Sequence, residues 1–117
     1  GLQDLEQFFV LPEPTPDADP SWFGFLLTVK PDAPFTRDQV VQFLEGRGIQ
    51  TRMLFAGNLT KHPCFDEMRK TGVGYRIAGD LRVTDLVMCN TFWVGVYPGL
   101  GEKEVVGMIQ TIRAYIA

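Results

Sequence analysis

The chain is poor in the residues that build reactive centres, with one histidine and two cysteines in 117 residues. His62 has no thiol or carboxylate neighbours at zinc-ligand spacing and reads as a surface histidine, so no metal site is expected. Cys64 and Cys89 lie far apart with no Cys-x-x-Cys pattern, which favours two reduced thiols over a disulfide framework. Cys64 follows Pro63 near a predicted helix start, but no base is placed beside it in sequence, and a half-buried structural thiol is expected there. There is no basic excess either. The net charge of -3 gives no general attraction to nucleic acid, whose binders carry a basic face. No apolar run approaches the ~18 residues of a membrane span. The start, Gly1-Leu2-Gln3-Asp4-Leu5-Glu6, lacks the basic-then-apolar order of a signal peptide. A soluble, cytoplasmic protein with no membrane partner is expected. Gly72-Val73-Gly74 follows a charged segment instead of a strand, which excludes a dinucleotide fingerprint. Asn58-Leu59-Thr60 matches a glycosylation acceptor, but that matters only in a secreted chain, and nothing here argues secretion.

What is abundant is apolar and aromatic material: 45% of the residues are hydrophobic and 12% aromatic, enough for one compact domain with little surplus. The chain begins without methionine, in what looks like the last turn of a helix with Leu2, Leu5 and Phe8 or Phe9 on one side; an excised domain is expected. Residues 12–20 carry four prolines and three acids and must form a loop, because each proline removes a donor and restricts its predecessor. Trp22 to Val29 reads as a strand buried on both faces or nearly so and central to a sheet. Thr36-Arg37-Asp38-Gln39 has capping-box order ahead of Val40, Phe43 and Leu44, which share a helical face that should end near Gly46 to Gly48. Ile49 to Phe55 suits a strand that ends at Ala56-Gly57-Asn58, a loop of the kind that carries recognition residues. Short helices are predicted from Pro63 to about Lys70 and from about Val83 to Cys89, with Gly72, Gly74 and Gly79 between them.

Asn90 to Leu100, an aromatic strand running into Pro98-Gly99, offers an edge at which a ligand or partner could sit. The last helix is marked by Val105, Met108, Ile109, Ile112, Tyr115 and Ile116 at three- and four-residue intervals, with Glu102 and Glu104 suited to its positive end. This order predicts an α/β (α+β) fold: a small mixed or mostly antiparallel sheet with helices packed mainly on one face. Trp22, Phe23, Phe25, Phe92 and Trp93 read as core and lid aromatics. Arg52 stands out in an apolar strand. Its guanidinium either pairs with an acid such as Asp85 or faces an anionic ligand, phosphate or carboxylate.

Gly48-Ile49-Gln50-Thr51-Arg52, then Phe55, Leu59 and His62-Pro63-Cys64-Phe65, resembles the Gly-Ile-x-Thr-Arg segment and its sequel in DegT-type nucleotide-sugar aminotransferases. Val96-Tyr97-Pro98-Gly99-Leu100 with Glu104 is similar to a later segment of that family. A finer likeness is to the lipopolysaccharide-pathway branch that acts as CDP-4-dehydro-6-deoxyglucose 3-dehydratase. It is carried by Asp19 to Phe25, Arg52 to Leu59, Gly79-Asp80-Leu81 and Asn90 to Leu100. Two departures from the aminotransferase pattern fit that branch: Ser21-Trp22-Phe23 and Asn58-Leu59-Thr60 stand where aminotransferases carry a histidine.

The resemblance implies the C-terminal small domain of a fold-type-I enzyme, with residues 1–7 ending an interdomain helix. It implies pyridoxamine or pyridoxal phosphate (PMP/PLP), an iron-sulfur cluster, a reductase electron donor and a homodimer, with the cofactor groups on a large N-terminal domain absent from this chain. This domain would form one wall of a nucleotide-sugar cleft and be inactive alone. Arg52 and Asn58 would be the polar contacts, Phe23 and Phe92 the apolar wall, and Asn90 the anchor of the strand end; no catalytic residue is carried over. A nucleotide-sugar aminotransferase domain, or a free-standing binding or dimerisation module, are the other readings.

Overall fold

The computed structural model describes all residues, Gly1–Ala117. Four strands, β1 (Phe9–Val10), β2 (Gly24–Val29), β3 (Thr51–Met53) and β4 (Thr91–Gly95), form one sheet in the order β1-β2-β4-β3, antiparallel throughout. The helices are α1 (Arg37–Glu45), α2 (Asp66–Thr71), α3 (Arg82–Asn90) and α4 (Glu102–Ile116). Single 3-10 turns occupy Gln3–Leu5, Leu59–Lys61 and Pro63–Phe65. The first of these is all that forms at the N-terminus, although Leu2, Leu5 and Phe9 are buried together there. No helix is long and apolar enough to cross a membrane.

Strand periodicity sets the layers. In β2 and β4 the cross-strand pairs Leu27↔Phe92 and Phe25↔Val94 point to one face, and Leu26↔Trp93 and Thr28↔Thr91 to the other. On the first face α1 and α4 close the core: Val40, Val41, Leu44 and Ile112 join Phe9, Leu27, Val29, Phe92 and Val94 in one buried cluster. An aromatic relay at the rim of that core places Phe35 against Phe8, Phe9 and Tyr115, and Tyr115 against Phe43. Helix α1 starts on the expected capping box, in which the Gln39 backbone N–H donates to Thr36 Oγ1 (3.3 Å) and Gln39 Oε1 accepts from the Thr36 backbone N–H (2.8 Å). Helix α4 follows its predicted stripe from Met108 onward, with Ile112 buried and Met108, Ile109, Tyr115 and Ile116 half-buried, but Val105 in its first turn is exposed.

The central strand departs from expectation. It is central, flanked by β1 and β4, but it begins at Gly24, and only one of its faces is fully packed: Leu27 and Val29 are buried, Leu26 and Thr28 half-buried. Strand β3 is shorter than predicted, because as an edge strand it pairs only with β4, and that pairing ends at Met53↔Phe92. The core position of Phe92 is the most consequential. Phe92→Ala should destabilise the fold by about 3–5 kcal/mol, read as a lower urea midpoint with unchanged slope; a loss below about 1 kcal/mol would show that the ring does not carry the core.

Candidate functional site

On the face of the sheet that α1 and α4 do not cover, Trp93 is the centre of an aromatic cluster. The rings of Phe23 and Phe55 each meet it edge-on, with centroids 5.1 Å away. Both phenylalanines project into solvent, 77% and 72% exposed. Arg52 is the cross-strand partner of Trp93, so its side chain leaves the sheet on the same face. It is exposed, and its one hydrogen bond runs from Nη1 to the Thr51 carbonyl (2.8 Å). No carboxylate pairs with it. The pairing with Asp85 considered from sequence is absent, because Asp85 is engaged elsewhere. Apart from that bond, the remaining guanidinium donors of Arg52 have no partner within this chain.

The loop after β3 is held by a polar latch. Asn58, 3% exposed, donates through Nδ2 to Asp85 Oδ1 (2.7 Å) and accepts at Oδ1 from the Thr60 backbone N–H (3.0 Å) and Thr60 Oγ1–H (2.6 Å). Lys61 Nζ lies 2.9 Å from the other Asp85 oxygen. His62 Nε2–H donates to the Ala56 carbonyl at 2.5 Å, and Gly57 packs on Met88 of α3 with no room for a β-carbon. The Asn58-Leu59-Thr60 spacing, which also matches a glycosylation acceptor, is here that of an Asx turn, in which the side-chain oxygen caps the backbone two residues on. The Asn58 hydrogen bond first, and the Lys61 charge with it, hold the Asp85 carboxyl below its ordinary range.

At the other side of α3, Arg37 Nη1 donates to the Met88 carbonyl (2.8 Å), where a cation suits the negative end of the helix. Asn90 Nδ2 donates to the Val29 carbonyl (2.8 Å), tying the α3–β4 junction to the end of β2.

These positions sort the sequence-predicted residues. Arg52 and Phe23 share one exposed face, and the structure adds Phe55 and Trp93 to them. Phe92 cannot line a cleft: it is fully buried under the helices, one residue and therefore one face away from Trp93. Asn58 is no ligand contact, since it is buried and its oxygen is saturated by Thr60. Asn90 bonds protein backbone. Cys64 is exposed, not half-buried, as is Cys89, and both are free thiols. No three His, Cys, Asp or Glu side chains converge as a metal would need. None of the four lysines, Lys30, Lys61, Lys70 and Lys103, is buried.

The fold is shared with parts of larger solved enzymes. An E. coli GDP-4-keto-6-deoxy-D-mannose-3-dehydratase, solved with bound hydrated PLP, superposes with a TM-score of 0.75 at 21% identity over 95% of this chain and 28% of its own. A DegT DnrJ EryC1 StrS aminotransferase from Brucella abortus superposes with a TM-score of 0.74 at 17% identity, over 97% of this chain and 28% of its own. Residues 1–113 match the model of the DegT/DnrJ/EryC1/StrS aminotransferase family, and the chain belongs to that family. It is 48% identical over all 117 residues to the dTDP-4-dehydro-2,6-dideoxy-D-glucose 3-dehydratase of Saccharopolyspora spinosa, covering 24% of that protein. It is 48% identical over 105 residues, 90% of the chain, to the lipopolysaccharide biosynthesis protein RfbH of Salmonella typhimurium, covering 23% of it. The chain thus spans about a quarter of the length of these relatives.

The latch generates two expectations. Asn58→Ala should cost about 1–3 kcal/mol at neutral pH, because it removes a buried amide and leaves Asp85 one donor short. Asp85, whose carboxyl is lower in the folded than in the unfolded chain, stabilises the fold above the unfolded value of about 3.9, and that contribution is lost as pH falls through the folded value. Urea titrations at neutral pH and at about pH 3 should therefore show a smaller acid-induced loss in Asp85→Asn than in the parent; equal losses would mean that the latch does not couple to Asp85 ionisation.

Proposed function

We propose that this chain is the C-terminal small domain of an enzyme that removes the C3 hydroxyl of a CDP-4-keto-6-deoxyhexose, CDP-4-dehydro-6-deoxy-D-glucose, in deoxysugar and lipopolysaccharide O-antigen biosynthesis. One observation carries this reading. Identity of 48% extends across the whole chain to a nucleotide-sugar 3-dehydratase, and an equal identity across 105 residues links it to a lipopolysaccharide biosynthesis protein. Within the full-length protein the vitamin-B6 cofactor, pyridoxamine or pyridoxal phosphate, supplies the electron sink and an iron-sulfur cluster the electrons from a reductase; both reside on the larger remainder.

The share of this domain is binding and orientation. Arg52 offers a planar, unpaired guanidinium to a phosphate or carboxylate, and Phe23 beside Trp93 and Phe55 presents an apolar wall that excludes water. Asn58 and Phe92 support that surface from behind, the first by fixing the loop that carries Phe55 and the second by packing the strand that carries Trp93. Asn90 holds the start of β4 in place. None of these groups is positioned to transfer a proton.

The family name itself favours a second reading, amino transfer to a nucleotide sugar. Absorbance of the full-length protein separates the two. Dehydration predicts iron-sulfur absorbance with no lysine-linked cofactor; a borohydride-reducible lysine–cofactor linkage would assign amino transfer instead. Arg52→Ala in the full-length enzyme should raise KM for the nucleotide sugar about tenfold or more with a smaller effect on kcat. An unchanged KM would remove Arg52 from the binding surface.

A further inference from the structure

The stretch between β3 and the Asx turn carries part of the exposed aromatic face on little main-chain support. Pairing of β3 ends at Met53, and no turn or loop hydrogen bond between backbone groups involves residues 54–57. Phe55 itself projects into solvent and its aromatic contact is the edge-on one with Trp93, so the direction of its ring is set by the main chain that carries it. On the Asn58 side that main chain is held from α3, by Met88 against Gly57 and by Asp85 on the Asn58 amide. On the Ala56 side the imidazole of His62 holds it.

His62 is half-buried, not the surface histidine expected from sequence. A carbonyl can only accept, so the ring carries a proton on Nε2 in its bond to the Ala56 oxygen. No carboxylate pairs with the ring, so a neutral donor of the same reach could make that bond. The backbone that presents the imidazole is itself braced. The His62 N–H closes the 3-10 turn on the Leu59 carbonyl (3.1 Å), and Pro63 restricts His62 to the extended conformation it adopts (φ -74°, ψ 139°). From α2, Arg69 donates through Nη1 to the carbonyls of Thr60 and His62, the second at 3.0 Å, and Asp66 pairs with its Nη2. A line of contacts therefore runs from the Asp66–Arg69 pair through the backbone of residues 60–62 and the His62 ring to the residue next to Phe55.

We propose that His62 is a positioning residue for the binding surface: through the Ala56 carbonyl it sets Phe55 edge-on to Trp93, on the face that Arg52 shares, and Arg69 holds His62 in place to do so. The inference rests on the reading of that face as a nucleotide-sugar surface, and it extends that reading to a residue that acts through another.

The test uses the full-length enzyme and steady-state kinetics with the CDP-4-keto-6-deoxyhexose. His62→Ala, and His62→Asn with an amide too short to reach the carbonyl, should each raise KM about threefold to tenfold with kcat changed by less than about twofold. His62→Gln, whose amide N–H has a similar reach, should restore KM. A merely structural loss lowers the folded fraction and therefore kcat, and leaves KM where it was. Arg52→Ala is run beside them. If it raises KM and the His62 variants do not, the role of His62 alone is overturned; if none of them raises KM, the binding surface is overturned and His62 with it. As a second measurement on the same protein labelled with 5-fluorotryptophan, the Trp93 fluorine resonance, identified by its loss in Trp93→Phe, should shift in His62→Ala and return in His62→Gln. A resonance unmoved by His62→Ala would show that Phe55 keeps its place without the imidazole, which overturns the proposal.

Discussion

The register of β2 against β4 is the constraint on which the molecule depends. Because side chains alternate along a strand, pairing Leu27 with Phe92 sends Phe92 into the core and Trp93 to the opposite face. A slip of one residue would bury the indole under α1 and α4 and expose the phenyl ring. The same register carries β3 with it: Thr51 opposite Val94 turns inward, 3% exposed, with its hydroxyl donating to Glu45 (2.6 Å), and Arg52 turns outward beside Trp93. One ladder therefore decides both the core and the composition of the exposed face. The hydroxyls of Thr28 and Thr91, 2.8 Å apart, reinforce the pairing at the last pair of the ladder, where Thr91 is buried.

A surface built on a short edge strand needs support from outside the sheet. β3 has three residues, so the chain beyond Met53 would be free to wander if only sheet hydrogen bonds held it. The latch answers this with groups from α3: Asp85 takes Asn58 and Lys61, and Met88 meets both Gly57 and the Asn58 amide. Helix α3 in turn is fixed by Arg37 at its C-terminal carbonyls and by Asn90 at its junction with β4. Phe55 thus keeps its edge-on contact with Trp93 through a chain of contacts that runs from α1 through α3 to the loop. A carboxylate at the middle of that chain, exposed enough to remain charged, costs little desolvation while accepting two donors.

Local signals were legible where they rest on chemistry near in sequence. The capping box at Thr36 and Gln39, the stripe of α4, the proline-rich loop and the two short helices each depend on neighbours a few residues apart. The face occupied by an aromatic residue depends on strand register, a long-range property, and here the sequence could not separate Phe92 from Trp93: both are bulky, adjacent and in a strand without alternation in hydropathy. Asn58 shows another limit. Its residue type suits a ligand contact and a turn cap equally, and only the approach of Asp85 from α3, far along the chain, decides between them. Arg52 is the converse case, a charge whose candidate partner was taken by other donors. The resemblance to nucleotide-sugar enzymes, by contrast, was readable directly, because long uninterrupted stretches such as Asn90 to Leu100 combine the strand, the turn and the helix start in one motif.

Size and shape together explain how such a domain works as a part. Only 15 of 117 residues are buried, and the apolar cluster at its centre has 11 members, a small core for a chain of this length. Apolar side chains that are not fully buried are concentrated in a few places: the Trp93 face, the stretch with Val73, Tyr75 and Ile77 between α2 and α3, and the groove beside Gly1 lined by Trp22, Phe25, Tyr97, Leu100, Met108 and Ile109. Some of these side chains also serve the fold, Phe25 and Ile109 by packing against the core and Phe23 and Phe55 by packing on Trp93. Clustered exposed apolar side chains of this kind mark surfaces suited to contact with another surface. Stability and site geometry are then coupled, because the contacts that hold this domain against its surroundings would also set the orientation of Arg52 and the aromatic face toward whatever they bind.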